Sequence, residues 1–160
     1  MIAPVGLAGR ASTQIQVQYQ NQLSLPVNVR VTDANPAVFM ADSSGQGAIV
    51  NQNGSPNSAS SPAAYGSVVL IFATGGGQTN PPTVDGVPSS GAAPLLLPVS
   101  VQIDGLPATV QYKGAAPGLA GLDQINVQIP AGVRTGVPVP VLLTIGTVTA
   151  PSVTMYVHAP

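Results

Sequence analysis

The side chains able to do chemistry are few in this 160-residue chain, and they stand apart. His158 is the single histidine and has no acid beside it in sequence, so a general base there would lack the group that orients it. All five acids are aspartates: Asp33, Asp42, Asp85, Asp104 and Asp123. Asp85-Gly86 and Asp104-Gly105 read as turns, and Asp33 heads the turn signature Asp33-Ala34-Asn35-Pro36. Asp33 and Asp42 flank a junction of the type that calcium rigidifies between tandem domains, but no run of Asp and Asn supplies the oxygen density calcium takes. Gly75-Gly76-Gly77 lacks the Lys-Ser/Thr and the helix that a phosphate cradle needs. Hydroxyls are plentiful, yet a nucleophile needs a base and none stands near. With no cysteine there is neither a disulfide nor a thiolate site. Asn53-Gly54-Ser55 fits the N-glycosylation pattern, and the Ser/Thr-rich stretches 55–67 and 79–90 are the places for other glycans. These residues predict no enzyme: no catalytic residue, no cofactor and no metal.

Charge excludes two further classes. Arg10, Arg30, Lys113 and Arg134 are the only cations, too few and too scattered to neutralise phosphates or hold a helix on an anionic membrane. No window of 18 apolar residues occurs, so no membrane-spanning helix is expected. The start, Met1-Ile2-Ala3-Pro4-Val5-Gly6, has neither the basic nor the apolar region of a signal peptide. Low charge and 20 Asn/Gln residues point instead to an exported structural protein, extracellular or at the cell surface.

The elements that position these residues are strands. Valine occurs 22 times in a chain that is 44 % hydrophobic, with 18 Gly and 17 Pro as punctuation. Period-2 alternation recurs about ten times. Gln14 to Gln20 alternates glutamine with Ile15, Val17 and Tyr19; Leu25 to Val31 alternates as cleanly, with Asn21-Gln22-Leu23-Ser24 as the connection. Beyond Pro36 come about eight more runs, including the doubly apolar Ser67–Ala73, 99–103, 108–112, 125–129, 139–145 and 153–157. The stretch 75–94 is long enough to be a functional or flexible loop. The reading is all-β: an N-terminal hairpin in residues 1–35, then an immunoglobulin-like β-sandwich in 36–160.

Residues 15–36 and 142–160 share one layout: alternating strand, short turn, proline, alternating strand, Ala-Pro exit. If the second closes a sandwich, the first closes a preceding one, and it stands here as an orphan that must pack somewhere.

Three blocks carry a family likeness: 45–55 with 73–79, 99–110, and 114–119 with 124–130. They resemble the uncharacterised Ig-like C-terminal domain family of exported acidobacterial (Solibacter-type) proteins, and are similar to IPT/TIG modules. The resemblance spans nearly the whole chain. It implies a sandwich, export, and an N-terminal hairpin that closes an upstream Ig-like domain; it implies no activity. Its similarity to subunits of extracellular filaments implies assembly.

The functional expectation is a structural subunit, a homopolymer built head-to-tail as the hairpin adds strands to a neighbour. Its interface is Ile15, Val17, Tyr19, Leu25, Val27, Val29 and Val31. The alternative is an accessory adhesion module that uses the 75–97 loop. Against it, the chain has no Trp, and most of its four Tyr and two Phe lie in strand patterns.

Overall fold

The computed structural model describes residues 2–159. Among the described residues one 3-10 turn, Val5–Leu7, is the sole helical element and the rest of the regular structure is β. Four short strands form an N-terminal arm: β1 (Ser12–Ile15), β2 (Gln18–Tyr19), β3 (Gln22–Leu23) and β4 (Val27–Arg30). The body follows with β5 (Ala37–Val38), β6 (Ile49–Val50), β7 (Ala63–Ala64), β8 (Val68–Thr74), β9 (Val99–Ile103) and β10 (Leu106–Ala115). It ends with β11 (Asp123–Gln128), β12 (Pro138–Ile145), β13 (Val148–Thr149) and β14 (Val153–His158).

The body strands form one sheet that curls into a sandwich-like shell, in the order β5-β8-β11-β10-β9-β12-β14-β7. β10 makes the curl. Its first residues pair with β9 and its last with β11, and a bulge between Val110 and Tyr112 turns the strand from one layer to the other. Alternation decides what faces inward. Val69, Ile71 and Ala73 of β8, Ile125 and Val127 of β11, and Val139, Val141, Leu143 and Ile145 of β12 are each 0 % exposed. The intervening residues are half-buried or exposed. β8, apolar on both faces, has both its edges paired, by β11 and by β5 with β6.

The open side of the shell is sealed by segment 39–64. β5 and β6 lie along β8, and between them the chain crosses to β14. There Gly47 N–H donates to Thr154 O at 2.9 Å, and Thr154 N–H donates to Gly45 O at 2.9 Å. Next along β14 the Asn57 amide takes the place of a strand. Tyr156 N–H donates to Asn57 Oδ1 at 2.7 Å, and Asn57 Nδ2 donates to Tyr156 O at 2.8 Å. β7 then pairs with Val157 and His158 in parallel. Asn51 and Gln46 buttress Asn57 in a buried polar cluster, in which only Gln46 Oε1 lacks a partner.

The glycine triplet is a clasp for the polypeptide entering the body. Asn35 N–H donates to Gly75 O at 2.9 Å. A Cβ on Gly75 would lie 2.0 Å from Asn35 O, and one on Gly77 2.3 Å from Asp33 O, both residues having positive φ. Only glycine lets the two backbones approach so closely. The long stretch after it is held by bridges Thr79–Leu95, Ser89–Pro117 and Pro94–Gly114, with Ala93 and Leu95 buried.

Candidate functional site

The arm is a hairpin, but its turn is tighter than the expected connection at 21–24. β2 and β3 close on Gln20 and Asn21, both at positive φ (47° and 61°), the geometry of a two-residue primed turn. The extra length goes into a bulge. Two residues, Gln16 and Val17, face three, Ser24, Leu25 and Pro26, and Ser24 stitches the gap: its N–H donates to Val17 O, and its Oγ accepts from Val17 N–H. Pro26 has no N–H to give a ladder, so a bulge is where it fits.

This layout repeats at the end of the chain. Ser12↔Arg30 through Ile15↔Val27 in the arm correspond to Pro138↔Tyr156 through Val141↔Val153 in the body. Gln18↔Leu23 and Tyr19↔Gln22 correspond to Thr144↔Thr149 and Ile145↔Val148. The separation is 126 throughout (138 − 12), and the stitch recurs as Ala150 N–H to Leu143 O at 2.8 Å. The arm is thus a second copy of the β12–β14 hairpin, pair for pair and bulge for bulge. The equivalence falls on bulge and turn rather than on the prolines, since Pro26 matches Ser152 and Leu25 matches Pro151.

Burial separates the two copies. Leu143, Ile145 and Met155 are 0 % exposed, with Val153 at 3 %. The equivalent arm residues are Val17 at 64 %, Tyr19 at 72 %, the half-buried Val29, and Val27 at 60 %. Ile15 and Val31 are half-buried near the base, and Leu25, in the bulge, is 86 % exposed. The structure therefore brings Ile15, Val17, Tyr19, Val27 and Val29 along one arm and leaves that arm uncovered. Leu23, 65 % exposed, was missed by the alternation pattern, because the bulge sets it beside Gln18.

Both legs of the arm are anchored at one place. Val5 N–H donates to Asp85 Oδ1 at 2.7 Å, Gln78 Nε2 donates to Val5 O at 3.3 Å, and Asn35 is held by Gly75. A Cβ on Gly121 would lie 2.7 Å from Ile2, so the first residues pack on the same end of the body.

Three aspartates are held by contacts within the body. Arg134 grips Asp104 through Nε and Nη2, and these hydrogen bonds hold the Asp104 carboxyl down at about 2. Asp42 accepts from Ser44 N–H and Oγ, which lowers it. Asp123 accepts Gly76 N–H at 2.8 Å, and burial pushes its carboxyl up to about 6 against that bond. His158 is exposed, with Nδ1 against Ala159 O. Asn53 of the glycosylation pattern is exposed and caps Ser55 through its Oδ1. Among the described residues no three His, Cys, Asp or Glu side chains gather as metal ligands, and no helix is long and apolar enough to cross a membrane. Surface depressions, one between Tyr65, Pro107 and Pro130 and one beside His158 and Asn53, are shallow and open. No protein-family model, curated protein or solved structure matches the chain.

Proposed function

We propose that the chain is a structural subunit, part of an extracellular filament or surface assembly, joined to its neighbours through the arm. One observation carries this reading: a hairpin equivalent in register to the body's own core hairpin stands with its core residues in solvent. Val17, Tyr19 and Val27 occupy positions that a sandwich fills with Leu143, Ile145 and Val153, so the arm has the chemistry of a core that the described residues leave exposed. At about 1.5–3 kcal/mol for each large side chain buried, covering it yields on the order of 10 kcal/mol before ordering costs.

The Ig-like reading of the body has support in strand order. Taken in sequence as A (β5), B (β8), C (β9), D (late β10), E (β11), F (β12) and G (β14), the layers are A-B-E-D and C-F-G. An immunoglobulin-like sandwich divides its strands in the same way, which supports that reading. Low charge, with nine formal charges in the chain, leaves little repulsion to oppose close stacking, and secretion fits the same composition.

Sedimentation of the wild-type chain against Val17→Asp/Val27→Asp tests the proposal. Both substitutions fall on solvent-facing arm residues, so the variant should melt like wild type. Wild type should form larger species and the variant should not, because a carboxylate buried unpaired at the contact costs several kcal/mol. A wild type that stays monomeric at every concentration overturns it.

A further inference from the structure

We infer that the partner of the arm is the arm of a second copy, the two pairing antiparallel through their β1–β2 edges about a two-fold axis at Val17; this rests on the arm being the contact surface. The body sheet ends on two-residue strands, β5 and β7, too short to accept the arm. β10 runs through both layers on one side, and on the other β14 is closed by Gly45–Gly47, the Asn57 amide and β7. The slot that matches the arm is filled in every folded copy by β12–β14.

The arm's own edges are open, and they differ. The β4 edge carries Pro26 in its bulge and Arg30 at its base, both of which discourage strand addition. The first strand has no proline and no charge from Ser12 to Tyr19. Its outer ladder is regular, since the bulge lies on the other strand. Val31 N–H donates to Ala11 O and Ser24 N–H to Val17 O, so odd-numbered residues turn their backbone inward and Gln14, Gln16 and Gln18 turn theirs outward.

The body states what such an edge pairs with. β12 takes β9 there, with Val141, Leu143 and Ile145 opposite Ile103, Val101 and Val99, and polar residues between. The arm equivalents of the β12 residues are Ile15, Val17 and Tyr19. β9 reads Val-Ser-Val-Gln-Ile, and the arm strand Ile15-Gln16-Val17-Gln18-Tyr19 repeats that apolar-polar alternation. A second arm therefore stands in for β9. Ile15 falls opposite the other copy's Tyr19, Val17 opposite Val17, and Gln16 exchanges backbone hydrogen bonds with Gln18. A slip by one residue would set glutamine against the apolar face. Antiparallel pairing keeps the Arg30 pair roughly 30 Å apart, several Debye lengths. Two arms joined along one short edge each bury less than a standard specific interface, so the dimer is weak and concentration-dependent. Being isologous, the joint closes on itself as a dimer.

Cysteine placement tests the register, in a chain with no cysteine of its own. Non-hydrogen-bonded partners lie about 4.5 Å apart at Cα, within disulfide reach. Val17→Cys should give a covalent dimer on mild oxidation of the native protein. Gln16→Cys alone should not, whereas Gln16→Cys mixed with Gln18→Cys should. Val17→Asp should weaken the non-covalent dimer at least about tenfold. If Val17→Cys stays monomeric, or Gln16→Cys crosslinks as readily, arm-to-arm pairing is wrong. Should wild type still self-associate in that case, the assembly proposal stands without it; if wild type does not associate at all, both fall.

Discussion

The arm and the β12–β14 hairpin share one strand-pairing pattern in two environments. Strand pairs, turn position and bulge coincide, yet Ile145 is fully enclosed while its counterpart Tyr19 is 72 % exposed. Pairing pattern is thus a property of the local sequence, since alternation, turn and bulge are all written within about twenty residues. Burial is not. It comes from β9, β7 and the opposite layer, which only one copy has.

The contrast breaks most sharply in the core. Leu143→Ala should cost about 3–5 kcal/mol in thermal or urea unfolding, while Val17→Ala, at the matched arm position, should leave the monomer within about 0.5 kcal/mol. Equal effects would mean that the arm is packed in the isolated chain.

Next in size is the clasp that separates the two regions. Gly75→Ala puts a methyl group onto Asn35 O and forces a positive φ on alanine, at a cost of at least about 2 kcal/mol. Limited proteolysis should then cut near residues 32–36 faster than in wild type, with the body intact. Asn57→Ala should cost about 2–3 kcal/mol, because it strips Tyr156 N–H and C=O of their partner. It also opens the β14 edge, and aggregation through it should appear on heating.

The smallest effect is one of pH. The Asp123 carboxyl, about 6 when folded and near 3.8 otherwise, holds its proton more tightly in the native state. Its contribution is therefore fully present below pH 3.8, declines as pH rises towards 6, and is gone above it. Asp123→Asn should flatten that part of the stability profile and raise Tm at pH 7. Asp104, lowered by Arg134, acts with the opposite sign below pH 4.

Much of this was legible in residue order. The alternating runs from Gln14 to Val157 announced an all-β chain, and the likeness of 15–36 to 142–160 announced a duplicated hairpin, because period and turn chemistry are local. Asp85, Asp104 and the lone His158 were legible as well, as turn and surface residues, whereas the strand position of Asp123 against Gly76 was not. What residue order left open was everything that depends on distant pieces meeting. Gly75-Gly76-Gly77 looks like loose loop until Asn35 and Asp33 are seen lying against it. Asn57 is one polar residue among many in 51–62 until it is seen replacing a strand beside Tyr156. The same holds for the arm. Its sequence determined a hairpin with an apolar face, whereas only the tertiary structure decided that the body's β14 edge is sealed and its β12–β14 slot filled. An edge is open or closed according to which chain segments cross it, and no local pattern of side chains encodes that.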